Sequence, residues 1–221
     1  MMESWETARW VAELEAAAAA VEKPDTTSLR AVRREFNRRL RGASAGQVLA
    51  LAEALIATGA QRNRWFAYEL IHDHKPALHS LDAAQLEQLG AGMASWDQVD
   101  TFAPYLSGVA WRRGQIGDET IHRWAASPDR WWRRAALVST VALNIGARGG
   151  RGDVPRTLAV CELLVDDRDD MVVKAMSWAL RAAVAHDRAA VEDVLTRHET
   201  RLAARVKREV RNKLDTGLKN P

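Results

Sequence analysis

Apolar residues in this chain recur three and four positions apart almost from end to end, and no convincing run alternates as a strand would. Val48, Leu49, Leu51 and Leu55 mark one such face, and Leu195, Leu202, Val206, Val210 and Leu214 mark another. Side chains of that period line one stripe of an α-helix, so the sequence reads as all-α. Breakers cut the pattern into about ten or more helices. They include Pro24-Asp25-Thr26-Thr27, Gly42-Ala43-Ser44, Thr58-Gly59, Lys75-Pro76, Ser80-Leu81-Asp82, Ser107-Gly108, Ser127-Pro128, the stretch 147–153 and a turn near His198. Short connections make neighbouring helices antiparallel. Consecutive pairs of about 35 to 45 residues then stack into an α-solenoid with a concave surface open to a ligand, the alternative being a compact bundle. Exact sequence repeats are not apparent.

The 221 residues, 47% of them hydrophobic, suffice for one substantial core and exclude a disordered tail protein; the chain is read as a single domain over 1–221. The formal net charge is only +3, so a polyanion site must come from clustering. Arg30, Arg33, Arg34, Arg38, Arg39 and Arg41 form such a cluster, either a phosphate contact surface or a solvated helix face. The single cysteine, Cys161, lies in the apolar run 158–164 and leaves no disulfide within a monomer. No window approaches the roughly 20 apolar residues of a membrane span. With Glu3 and Glu6 at its start and no cleavable signal layout, the chain is expected to be cytoplasmic.

Three short helical motifs carry chemistry. They are Ser95-Trp96-Asp97-Gln98-Val99-Asp100, Trp131-Trp132-Arg133-Arg134 and the stretch from Lys174 through Trp178 to Arg181. Ser95 and Gln98 have capping-box spacing, so Trp96 begins a helix and Asp100 follows one turn on. Ser127-Pro128-Asp129 reads as cap, first-position proline and acidic first turn. In the third motif Lys174, Trp178 and Arg181 share a side, while Val172, Ala175, Met176 and Ala179 supply the core. Trp, a carboxylate and Arg on helix faces suggest work on DNA. A carboxylate beside aromatic rings suits departure of a cationic purine from deoxyribose, since it stabilises positive charge developing on the sugar. At roughly 4 Å and an effective dielectric of about 20, such a pair is worth on the order of 4 kcal/mol before desolvation. Trp96 and Trp178 would add about 0.5 to 2 kcal/mol each by cation–π contact, and Arg134 would hold a backbone phosphate.

Each residue has a plainer alternative. An Asp at this position is commonly solvated or salt-bridged, Asp97 reads as a helix N-terminal charge, and Trp5, Trp10, Trp65, Trp111 and Trp124 read as packing. His72-Asp73-His74 lacks ligand spacing for a metal, and the stretch 146–152, Gly-Ala-Arg-Gly-Gly-Arg-Gly, lacks a phosphate-loop Lys-Ser or Lys-Thr and reads as a flexible connector.

At these motifs the chain resembles the AlkD-type DNA alkylation repair glycosylases, a family of HEAT-like repeat proteins. The resemblance runs from roughly Thr27 to Leu214 and is strongest in Trp96 to Asp100, Arg123 to Ala136, Val173 to Arg181 and Lys207 to Leu214. The N-terminal helix over 1–23 matches least. What the resemblance implies is a C-shaped solenoid of HEAT-like antiparallel helix pairs, whose concave groove receives duplex DNA containing alkylated purines. It implies excision of N3- or N7-alkylated purines without flipping the base into a pocket, with neither metal nor organic cofactor. Asp100 then corresponds to the catalytic carboxylate, Trp96 and Trp178 to the aromatic walls around the lesion, and Arg134, Lys174 and Arg181 to DNA-backbone contacts. A monomer in a bacterial cytoplasm, nucleoid-associated when bound to DNA, fits that role. A non-catalytic repeat scaffold and a self-resistance glycosylase for bulky antibiotic adducts are the alternatives.

Overall fold

The computed structural model describes residues 5–221 and, among these, is all-α, with no strand. Residues 1–4, with the Glu3 invoked above and the start of the expected helix 1–23, lie outside the described residues. The chain packs as two compact units, divided between Ala91 and Gly92.

The first unit holds α1 (Thr7–Ala19), α2 (Thr26–Arg39), α3 (Ala45–Ala57), α4 (Gln61–Asp73), α5 (Lys75–Ser80) and α6 (Ala83–Gly90). Helix α3 packs against α1, α4 and α5, and α2 lies on α1 and α4. Three of its helix starts carry reciprocal capping boxes, Asp25 with Ser28, Ser44 with Gln47 and Asp82 with Gln85. Each box satisfies two backbone N–H groups that the first turn leaves without partners. His74 caps α5: its Nδ1 accepts from Ala77 N–H at 3.2 Å and its Nε2 lies 3.1 Å from the Ala43 carbonyl oxygen. Both ring nitrogens therefore serve the fold. The Arg-rich cluster divides its tasks: Arg33 forms an ion pair with Glu69 at 2.8 Å and Arg39 pairs with Glu13 over the Trp10 ring, while Arg30, Arg34 and Arg41 are exposed.

The second unit holds α7 (Trp96–Phe102), α8 (Gly108–Arg112), α9 (Asp118–Ala125), α10 (Arg130–Ser139), α11 (Val141–Asn144), α12 (Val154–Leu163), α13 (Asp170–Ala183), α14 (Arg188–Arg197) and α15 (Ala204–Thr216). One row runs α7, α10, α13, α15, each helix packed on the next; a second row runs α9, α12, α14. The first row's later helices begin at Arg130, Asp170 and Ala204, the periodicity of stacked helix pairs in an α-solenoid. Apolar stripes explain the stacking: α13 buries Val172, Val173, Ala175, Met176, Ala179, Leu180 and Ala183.

Two local starts differ from expectation. Helix α7 begins at Trp96, but Ser95 makes no side-chain cap, and the Gln98 side chain reaches past it to accept from Ala94 N–H at 2.8 Å. Helix α10 is capped by Asp129, whose carboxylate accepts from Trp131 N–H at 2.8 Å, so Pro128 stands before the helix rather than in its first turn. The Gly146–Gly152 stretch is also no loose connector. Arg112 donates to the carbonyls of Ala142 and Arg148 at 2.8 and 2.6 Å, while the N–H groups of Gly150 and Gly152 bond to Ile145 and Leu143.

Helices α7 and α8 are joined by a π-helical turn, Ala103–Ser107. Pro104 supplies the cause, since in a regular helix its ring would strike the carbonyl of residue 100, and a widened turn relieves that clash. The turn brings Gly108 against α10 and α11. A Cβ at Gly108 would lie 2.5 Å from the Ser139 carbonyl oxygen and 2.7 Å from Ala142 Cβ. Gly108→Ala is therefore expected to destabilise the fold by about 1–3 kcal/mol. Gly46→Ala, where an added Cβ meets nothing within 4 Å, should leave stability unchanged or raise it. Urea unfolding of the two variants checks this, and a Gly108→Ala protein as stable as the native one would contradict the close approach.

Candidate active site

Helix α10 lies between α7 and α13, and Arg134 projects from it to both. Its Nε and Nη2 donate to Asp100 Oδ1 at 3.0 and 2.8 Å, Nη2 also lies 2.8 Å from Oδ2, and Nη1 donates to the Met171 carbonyl at 2.5 Å. The planar fork matches the carboxylate, so the pair is fixed in orientation as well as charge. Arg134 is 5% exposed, whereas the Asp100 side chain keeps 20% of its surface in solvent. The cation is sealed inside and the anion stays partly open to solvent.

Burial pushes the Asp100 carboxyl above its ordinary value; Arg134 opposes this by charge and hydrogen bonding, Asp97 adds to it, and Arg148 opposes it. The group is thus a stronger base than a solvated aspartate. Arg134, expected from sequence to hold a phosphate, instead faces inward with its donors committed to Asp100 and Met171. The reason is steric as well as electrostatic: α10 buries Arg134 together with Ala135, Ala136, Leu137 and Val138.

The other sequence-derived residues distribute as follows. Trp96 stands one turn before Asp100 and is 56% exposed, among the most exposed large apolar side chains described. Trp178 lies on α13, partly exposed between buried Ser177 and Ala179. Lys174 and Arg181 share its side of the helix. Lys174 pairs with Asp170 at 2.6 Å, and Arg181 donates through Nε to the Ser177 hydroxyl at 3.1 Å, which itself donates to buried Glu209 at 2.6 Å. Asp100 and Arg134 are in direct contact; among the described residues no hydrogen bond or ring contact joins Trp96 or Trp178 to them. Trp132 proves to be packing: it meets Phe102 edge-on at 6.0 Å and Trp124 at 4.8 Å, directly beneath the helix that carries Asp100.

Spacing arguments overlooked the Met171 carbonyl and Arg148. A backbone acceptor leaves no residue signature, and Arg148 sits in a glycine-rich loop whose place against Tyr105, in the turn after α7, only the fold defines.

A family model described as DNA alkylation repair enzyme matches residues 25–214, and the chain belongs to that family. No curated protein and no solved structure matches the chain.

Removing Arg134 alone should leave a partly buried carboxylate uncompensated, at a cost of about 3–5 kcal/mol near neutral pH. Arg134→Leu is expected to show that loss in urea unfolding, and Asp100→Asn added to it should restore part of the stability. The deficit should also shrink on acidification. A folded-state pKa above the ordinary 3.8 means the folded chain holds the Asp100 proton more tightly, so stability falls as pH rises through that interval. Equal losses in the single and double variants would show that Arg134 does not serve Asp100.

Proposed function

We propose that this member of the DNA alkylation repair enzyme family is a monofunctional glycosylase that hydrolyses the N-glycosidic bond of N3- or N7-alkylated purines in duplex DNA. The observation that carries this reading is the carboxylate of Asp100, partly open to solvent and immobilised by a buried guanidinium. A fixed anion of this kind stabilises positive charge where it develops and needs no reorganisation during reaction.

In this reading alkylation has already made the purine a cationic leaving group. The C1′–N bond breaks, its electron pair leaves with the base, and Asp100 stabilises the positive charge left on the sugar. Water then attacks C1′, and its proton passes to Asp100 or to solvent. A carboxylate offers about four lone-pair sites and Arg134 occupies three hydrogen bonds to it, which leaves acceptor capacity for that water. Trp96 and Trp178 supply aromatic faces to the cationic nucleotide. Arg134 acts through Asp100, as a positioning residue. Lys174 reaches a phosphate by exchanging an exposed partner, Asp170, whose pairing is worth about 0–1 kcal/mol. No metal or organic cofactor takes part, the base stays out of any pocket, and a monomer suffices.

A scaffold that merely bound phosphates would gain nothing from an anion held at this position. The experiment is single-turnover release of free base from a duplex with one 7-methylguanine. The native protein is expected to release it, and Asp100→Asn to slow release by about 10²-fold or more. No release, or an unchanged rate in the variant, would overturn the proposal.

A further inference from the structure

Arg148 differs from Arg112, Arg133, Arg134 and Arg156. Arg112 is committed to the carbonyls of Ala142 and Arg148, Arg133 to Asp167, Arg134 to Asp100, and Arg156 lies 3.3 Å from Asp118. Arg148 has no carboxylate partner among the described residues. Its guanidinium lies over the Tyr105 ring at 4.7 Å, and its Nη1 is shielded from water with no hydrogen-bond acceptor. A shielded donor without an acceptor calls for an explanation, because native structures pair nearly all of theirs.

The surroundings hold this cation in place. Arg112 grips the Arg148 carbonyl, and Gly149 follows at φ +80, a conformation that side chains rarely adopt. A Cβ at Gly149 would come within 3.0 Å of Arg112 Nη2, so the loop requires glycine there. Tyr105 lies in the π-helical turn that begins just after α7, and the charge of Arg148 is felt at the Asp100 carboxyl. A cation stacked on an aromatic ring, and lacking a carboxylate partner among the described residues, thus stands on the turn that directly follows the helix of Asp100.

We infer that Arg148 binds a backbone phosphodiester of duplex DNA flanking the residue presented to Asp100, taking the role the sequence suggested for Arg134. This rests on the reading that the second unit receives duplex DNA. The Tyr105 platform restrains the guanidinium without using acceptor oxygens, so Nε and Nη2, which are not shielded as Nη1 is, remain available to phosphate.

The test is binding of unmodified duplex as a function of salt, by fluorescence anisotropy, for the native chain, Arg148→Gln and Arg148→Lys. One lost phosphate contact lowers the slope of log K against log salt by about 0.9. Arg148→Gln is expected to show that drop with weaker binding, and Arg148→Lys to keep the native slope. A native slope and affinity in Arg148→Gln would overturn the inference. So would a shift confined to the pH profile of base release, which would mean that Arg148 acts on Asp100 alone. Because the readout needs no lesion, a native chain that releases no base yet shows the slope change would remove the glycosylase reading and leave this inference standing.

Discussion

The bidentate bond between Arg134 and Asp100 is the constraint on which the second unit's site depends. Arg134 rises from α10 and touches both α7, through the carboxylate, and α13, through the Met171 carbonyl. One guanidinium thereby sets the register of three successive helices of a row. A buried charge is costly unless it is paired and its hydrogen bonds are satisfied, and here every nitrogen of the fork has an acceptor. Stability and chemistry thus place the same demand on this pair.

That arrangement also explains why the carboxylate is suited to charge stabilisation. Desolvation raises its proton affinity, while Arg134 keeps the ionised form accessible and aims it. The balance is local: Asp97, one turn earlier on α7, pushes in the same direction as burial, and Arg148, from the loop after α11, pushes in the opposite one. The π-helical turn after α7 belongs to the same device. Pro104 forces the widening, and the widened turn carries Tyr105, over whose ring Arg148 lies. Behind the helix, Phe102, Trp124 and Trp132 form a packed aromatic support, so α7 is backed by rings as well as by the ion pair.

Much of this was legible in the sequence. The helical period, the breakers and the alternation of Lys174, Trp178 and Arg181 with buried Val172, Ala175, Met176 and Ala179 all reappear, because each follows from local periodicity and burial. The family resemblance drawn from the Trp96–Asp100 and Val173–Arg181 motifs agrees with the family match over residues 25–214. Partner choice was less legible. A fork of donors fits phosphate and carboxylate equally well, and only the packing of α10 against α7 shows that Arg134 faces Asp100. The reciprocal half of the capping box at Ser95 is lost because the Gln98 side chain accepts from Ala94 instead. The glycine-rich stretch concealed its order, since the bonds that pin it come from Arg112, distant in sequence.

The most direct test of this account is the pH dependence of single-turnover base release, corrected for spontaneous depurination, in the native chain and in Asp97→Asn. If Asp100 is the reacting carboxylate in the environment described, release falls on acidification with a midpoint above the ordinary 3.8, and Asp97→Asn moves that midpoint down. A rate that is flat through this range, or a midpoint unmoved by Asp97→Asn, would contradict it.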